Sequence, residues 1–466
     1  MNCTERLKRR FESGAAALKD YLEKIMATHD ARGMAVAVID AHDTVLQDFL
    51  GLRDAERGLP IDENTLFGLA SVTKSFTALS VMQLVERGAV DLCAPLADSI
   101  PEFHNLHQKT VTAAHFLSHT GGYYPRPRAL LSDLLKKLSI DASKEEVAYD
   151  DRVAQAAVEE VASGLDADEP RLAAPGRMMS YCNDGYGLLS DLIRRKGGEG
   201  SYAAWVDKHI LEPLGMKRST CRFLAPSQDA NAAKLYTDHS ADWDYTREAF
   251  VLNGGGAMKS TLADMKKYLR MYLNRGAFEG GRLVSAESVA MMVQPRVATK
   301  FGTTYGFGLM TTQMGDLTVH RHGGSLPGVS SHIAWSPELG AAAIVLCNTE
   351  NVPVGIAADA LLRVAAGWPV EAEDRWIDEP WDDDVIRRAC GTYRSGEGAC
   401  LIIGRKGKGI SVLDGGKKVS CRTVRGARAL LTRGMAVSEV HLLFDGDGEV
   451  YAVRLNDRVI PRIQER

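Results

Sequence analysis

Ser71 and Lys74 stand three residues apart at the head of an apolar run, Ser75 to Arg87, whose composition reads as a helix. On a helix that spacing puts both side chains on one face. Ser71 then falls in the first turn, where backbone N–H groups lack intrahelical partners and the dipole favours developing negative charge. A serine hydroxyl attacks only after a base takes its proton. A lysine among Phe67, Leu69, Phe76 and Leu79 loses affinity for its own proton and can be that base. Ser-x-x-Lys alone is a common tetrapeptide, so the constraint comes from what accompanies it.

Two further stretches carry chemistry. In Pro175–Ile193 a Pro-Gly turn leads to Tyr181 and Asn183, and Gly187–Ile193 reads as a helix. Two residues apart in an extended segment, Tyr181 and Asn183 point to the same side, and Cys182 faces away. A tyrosine hydroxyl relays protons when a nearby cation lowers its pKa, and an amide can hold a substrate carbonyl. Downstream, Asp316–Gly328 contains His320, His322, Gly323, Gly324 and Ser325. Alternation puts both histidines on one face of a strand and Arg321 on the other. Val329–Trp335 and Ala341–Asn348 follow as two antiparallel strands, and a helix spans about Val354–Ala366. Upstream, a helix over 13–30 precedes a hairpin of Met34–Asp40 and Thr44–Leu50.

Other candidates are weaker. His115 and His119 have the four-residue spacing of a helical zinc pair, but no Glu adjoins His115 and no third ligand is evident. They read as structural, as do His104 and His107. The glycines of Gly254–Leu269 form a tight loop into a helix capped by Thr261, since no Gly-Lys-Ser/Thr follows. The segment 125–175 is a charged, helical insertion.

Composition narrows the partners. A net charge of -4 over 466 residues argues against nucleic acid. No run of 18 or more apolar residues exists, so no membrane span is expected. The charged start, without the apolar core of a signal peptide, and eight scattered cysteines without Cys-x-x-Cys point to reduced thiols in the cytoplasm. No cofactor or metal is expected.

The chain changes character after residue 368. Residues 369–384 hold eight acidic residues and read as a linker. Residues 381–466 hold 16 Lys and Arg against 11 Asp and Glu. Short strands there, separated by Asp-Gly-Gly, Arg-Gly and Asp-Gly-Asp-Gly turns, predict an antiparallel meander closing into a small barrel over 385–466. Gly404–Gly409 is a charged hairpin rather than a phosphate loop.

Together these stretches resemble the serine β-lactamase and penicillin-binding-protein family, most closely its class C, esterase and D-aminopeptidase branch (peptidase S12-like). The resemblance covers about residues 15–368, with Ser71-Val-Thr-Lys74, Tyr181-Cys-Asn183 and His322-Gly-Gly324 in the family's motif order. It implies an α+β fold: a catalytic domain over 1–368, an antiparallel sheet flanked by helices with an all-helical subdomain, then the lipocalin-like barrel. It implies acyl transfer through Ser71, with Lys74 and Tyr181 sharing the proton work and the backbone N–H groups of Ser71 and Ser325 as oxyanion hole. Asn183, His322, Gly323 and Gly324 would bind substrate, with His322 orienting it or polarising Tyr181. A histidine at 322 in place of lysine removes a permanent charge. That weakens the case for penicillins and peptidoglycan stems and favours amidases, D-aminopeptidases and esterases, with amide bonds of short peptides or amino-acid amides, D-configured ones included, as the leading expectation. An esterase or acyltransferase with the same residues, and a non-catalytic sensor or scaffold, are the alternatives. By analogy the barrel shapes the site entrance or builds a homo-oligomer.

Overall fold

The computed structural model describes residues 3–104, 110–127, 129–141, 146–167, 171–223, 225–237 and 252–463, so His107 lies outside the described residues. The first helix, α1 (Cys3–Thr28), leads into the hairpin β1 (Gly33–Asp40) and β2 (Thr44–Asp54). Then come α2 (Thr73–Glu86), α3 (Asn183–Gly197) and α4 (Leu262–Leu273). The strands β3 (Met310–Met314), β4 (Leu317–Leu326), β5 (Val329–Ser336) and β6 (Ala341–Cys347) and the helix α5 (Val354–Ala366) follow.

One antiparallel sheet runs β2–β1–β6–β5–β4–β3, with short strands at both edges. The hairpin β1–β2 therefore adds beside β6, with Met34 opposite Cys347 and Val36 opposite Val345. Both central strands are buried on both faces, which matches their unbroken apolar runs. Alternation splits them between two cores. Val36, Val38, Ala343 and Val345 pack under α1 and α5, against Phe11, Leu22, Ile25 and Leu361. Ala35, Ala37, Ile39 and Ile344 face the opposite way, toward Phe76 of α2 and Met265 and Leu269 of α4. This second layer carries the serine.

The segment between 125 and 175 includes two helices, Leu131–Leu138 and Asp151–Ala167, packed by Leu134, Leu135, Val158 and Leu165 into the helical side of the core. No helix among the described residues is long and apolar enough to cross a membrane.

After the acidic stretch and a short helix, Asp383–Ala389, eight strands form an antiparallel meander: β7 (Gly391–Arg394), β8 (Cys400–Lys406), β9 (Gly409–Asp414), β10 (Lys417–Val424), β11 (Arg428–Arg433), β12 (Ala436–Phe444), β13 (Val450–Leu455) and β14 (Arg458–Pro461). The first and last strands come together, Ile463 N–H donating to Thr392 O at 2.8 Å, so the sheet is nearly a closed barrel. Leu401, Val412, Leu431, Leu442 and Val453 fill it. The acidic stretch lies along this module: Arg422 pairs with Asp374 and Asp378, and Arg425 N–H donates to Ile377 O. Opposite charge in adjacent segments thus fixes where the connecting chain runs.

Candidate active site

Ser71 sits in a single 3₁₀ turn, Ala70–Val72, that feeds directly into α2. The turn is strained at its first residue: Ala70 has φ 45°, a left-handed backbone that a non-glycine residue adopts at a cost. Surrounding packing holds it there. Ser331 of β5 donates from Oγ to the Leu69 carbonyl at 2.6 Å. Gly324 of β4 lies so close that a Cβ there would stand 2.2 Å from Leu69 O and 2.4 Å from Ser331 Oγ. The glycine is required because the serine turn rests against this part of the strand.

Lys74 is fully buried. Its Nζ donates to Ser71 Oγ at 3.2 Å, to Asn183 Oδ1 at 2.9 Å and to the Gly255 carbonyl at 2.7 Å. The last partner explains the glycine-rich loop. A Cβ on Gly254 would stand 2.3 Å from the Tyr186 carbonyl, so only glycine lets the loop close over α3 and aim its carbonyls at α2. Gly254 O meanwhile accepts from Thr77 Oγ1 at 2.8 Å.

Tyr181 and Asn183 lie where α3 begins. Cys182 is the N-cap, its Sγ accepting from Gly185 N–H at 3.4 Å, which is the packing role its position suggests. Burial raises the Tyr181 hydroxyl above its ordinary value, while a hydrogen bond with Ser71 and the Arg458 charge pull it back. Lys74 Nζ lies 4.8 Å from the ring centroid. Ser71, Lys74, Tyr181 and Asn183 therefore meet in one place.

His322 is in the same pocket but otherwise engaged. Its Nδ1 is 2.7 Å from Gly323 O, and its Nε2 is 2.9 Å from the Tyr305 hydroxyl. Its ring centroid is 6.5 Å from that of Tyr181. Both ring nitrogens are occupied within the protein, so the expected polarisation of Tyr181 by His322 is not made in this geometry. Burial, with Lys74 as second cause, pushes the imidazole down to about 3, so it is neutral. Arg321 turns to the other side and pairs with Asp359 of α5.

His119, read from the sequence as structural, joins this pocket. Its ring stacks on Tyr181 at 4.0 Å, its Nδ1 accepts from Cys182 N–H at 3.0 Å, and its Nε2 lies 3.2 Å from the Tyr305 hydroxyl. With Nδ1 an acceptor, Nε2 carries the proton and donates to Tyr305, which then donates to His322. One buried chain of rings holds Tyr181 from behind. His119 has φ 55°, and nothing local in the sequence signals that turn. His115 instead closes a capping box with Thr112.

The barrel also reaches the pocket. Tyr181 N–H donates to Asp457 O at 2.8 Å, and Val459 N–H donates to Ser180 Oγ at 3.3 Å. Asn183 Nδ2 donates to Glu397 Oε1 at 2.9 Å, and the other oxygen of Glu397 accepts from Arg458 Nε. The Arg458 guanidinium lies 4.7 Å from the Tyr181 ring centroid. Asp457 is buried between Thr299 and Lys300, the latter at 2.9 Å. Burial opposes its charge, but Lys300 and Thr299 hold the carboxyl below its ordinary value.

The family model described as "Beta-lactamase" matches residues 18–367. This chain belongs to the beta-lactamase family. Its members similar to this chain differ in what their names say they act on. Esterase EstB of Burkholderia gladioli is 32% identical over 215 residues, 43% of this chain and 50% of that one. A D-aminopeptidase of Gluconobacter oxydans is 23% identical over 372 residues, 78% of this chain and 64% of that one. In fold, the chain is similar to an octameric penicillin-binding protein homologue from Pyrococcus abyssi, with TM-score 0.67 and 23% identity over 96% of this chain and 99% of that one. That span takes in the barrel as well as the sheet beside Ser71. No cluster of three or more His, Cys, Asp or Glu able to hold a metal occurs among the described residues.

Proposed function

We propose that this family member is a serine hydrolase that cuts amide bonds of short peptides or amino-acid amides through an acyl-Ser71 intermediate. The observation that carries this is the buried Lys74 side chain, its Nζ 3.2 Å from Ser71 Oγ and held by two further acceptors. A lysine so held keeps one orientation toward the nucleophile and has no solvent to move into.

Ser71 attacks the substrate carbonyl while its proton passes to the Lys74–Tyr181 pair, which reacts in the form that has already lost one proton to solvent, a neutral Lys74 amine beside the Tyr181 phenol. Lys74 Nζ lies 4.8 Å from the Tyr181 ring centroid, close enough for the two groups to titrate as a unit. Tyr181 then hands the proton to the departing amine, and the same pair activates water to release the acyl group. The backbone N–H groups of Ser71 and Ser325 receive the carbonyl oxygen as it gains charge, each such donor contributing about 3 kcal/mol. His322, Gly323 and Gly324 form the edge along which an extended substrate lies. Asn183 meets the substrate amide after yielding its contact with Glu397. Cleavage of simple esters by the same residues is the second reading, supported by the likeness to an esterase. Assembly into an oligomer through the barrel is supported by the octameric structural neighbour.

The test is intact-protein mass after exposure to a fluorophosphonate. One adduct on the wild type and none on Ser71→Ala is expected. An unlabelled wild type, or a labelled Ser71→Ala, overturns the assignment. A panel of D- and L-amino-acid amides beside matched esters then places the substrate.

A further inference from the structure

Tyr305 is fully buried behind the proton-handling groups, and the proposed mechanism gives it no part. Its backbone is fixed against the nucleophile helix. The two-residue strand Thr304–Tyr305 pairs with Thr311 and Met310 of β3. The chain then bends through Gly306 and Gly308. A Cβ on Gly308 would stand 2.6 Å from the Lys74 carbonyl, so glycine there seats the bend directly on α2. The Tyr305 hydroxyl thus has a set position relative to Lys74.

That hydroxyl lies between two imidazoles, 3.2 Å from His119 Nε2 and 2.9 Å from His322 Nε2. The row of hydrogen bonds ends at both sides on backbone groups, and each of these acts in only one way. Cys182 N–H only donates, to His119 Nδ1 at 3.0 Å. Gly323 O only accepts, and it lies 2.7 Å from His322 Nδ1. Burial keeps both imidazoles neutral. The hydrogens between the two ends are then determined: His119 carries its proton on Nε2, Tyr305 donates to His322 Nε2, and His322 carries its own proton on Nδ1. The row has one direction and runs from the residue after Tyr181 to β4.

It joins two parts that act on one carbonyl in the acyl-transfer reading. At one end His119 stacks on Tyr181 at 4.0 Å. At the other, the register set by the Leu326–Val329 turn faces the backbone groups of Gly323 and Ser325 away from β5. β3 stops at Met310 opposite Arg321, so among the described residues no strand covers that edge. The proton donor and the Ser325 N–H of the oxyanion hole are therefore linked through one hydroxyl.

We propose that Tyr305 is a positioning residue for acylation, its hydroxyl bridging His119 and His322 so that Tyr181 and the open edge of β4 keep one fixed relation. The role rests on the acyl-Ser71 reading and deepens it.

Tyr305→Phe keeps the ring and removes the bridge. In the full-length protein, fluorophosphonate labelling of this variant is expected to show a first-order inactivation constant about 10- to 100-fold below wild type, the usual effect of a misplaced reacting group. KI should be unchanged, because the hydroxyl does not face the reagent. His119→Gln should also slow the step, and the double variant should be no slower than the slower single, since both cut the same row. Ring spectra of [15N]histidine-labelled protein read the row itself. Wild type should show His119 protonated at Nε2 and His322 at Nδ1, a result that requires no variant to fold. In Tyr305→Phe the His322 Nε2 signal should move downfield as it loses its donor. An unchanged inactivation constant, a loss confined to KI, losses that multiply in the double variant, or the opposite tautomer at either histidine overturns the assignment while Ser71 is still labelled. A wild type that takes no label overturns the acyl-Ser71 reading, and the role of Tyr305 with it.

Discussion

Lys74 donates to Ser71, Asn183 and the Gly255 carbonyl, and each contact has its own consequence. Lys74→Met should cut the acylation rate by about 10²- to 10⁴-fold, the usual contribution of a positioned proton acceptor. Stopped-flow or burst kinetics with an activated ester would show it, and an unchanged acylation rate would remove Lys74 from the mechanism. Buried histidines, two in this pocket and His332 on the α5 side of β5, set the acid limit of stability. Burial depresses His119, His322 and His332, with His322 near 3. In the unfolded chain each has a pKa near 6.5, so below that pH the unfolded state binds more protons. The folded state is then favoured above about pH 6.5 and loses stability as pH falls toward 3. Thermal melts between pH 8 and 5 should show Tm dropping on the acid side, and His322→Gln should flatten that slope. A slope identical in both proteins would mean that His322 is not buried neutral.

At the scale of elements, the nucleophile turn and β4 are one unit. Gly324→Ala would push a methyl group against Leu69 O and Ser331 Oγ, contacts too short for either backbone or strand to absorb freely. A cost of about 1–3 kcal/mol and slower labelling of Ser71 are expected. Chemical denaturation and fluorophosphonate rates would measure both, and a neutral effect on each would separate the strand from the site. The elements that bring Ser71, Lys74, Tyr181 and Asn183 together were legible because their signals are local. Ser71 and Lys74 are three residues apart, Tyr181 and Asn183 two, and β5 and β6 are apolar runs joined by a turn. Alternation correctly put Arg321 and His322 on opposite faces. His119 was not legible, because its role depends on a positive φ and on Tyr305, a residue 186 positions away. Glu397 was equally hidden, being 214 residues from Asn183 on a barrel turn that looks like any other polar connection. Strand and turn chemistry predicted the barrel, but the final strand Arg458–Pro461 has only 4 residues and ends in proline, too short a pattern to stand out.

Across the whole molecule, the beta-lactamase-family portion and the barrel share one pocket floor. The backbone of Tyr181 is held by Asp457, and Asp457 is held by Lys300 and Thr299. Asp457→Ala should therefore act at two places, leaving buried donors unpaired and loosening the Tyr181 segment. A loss of about 1–3 kcal/mol in unfolding free energy is expected, together with slower acylation. Calorimetry and labelling on the same protein would check this, and a stability loss with full acylation would limit Asp457 to docking. Hydrogen exchange gives a complementary reading: phosphonylation of Ser71 should protect the amides around Val459, although they lie in another sheet. The placement of the Asp457 turn also bears on biosynthesis. A ribosome makes Ser71 first, Tyr181 later and Asp457 last of the three. Until the hairpin that carries Asp457 emerges and docks, a nascent chain holds Ser71 without the finished pocket. Under the proposed function, turnover would then signal that synthesis has already passed Asp457.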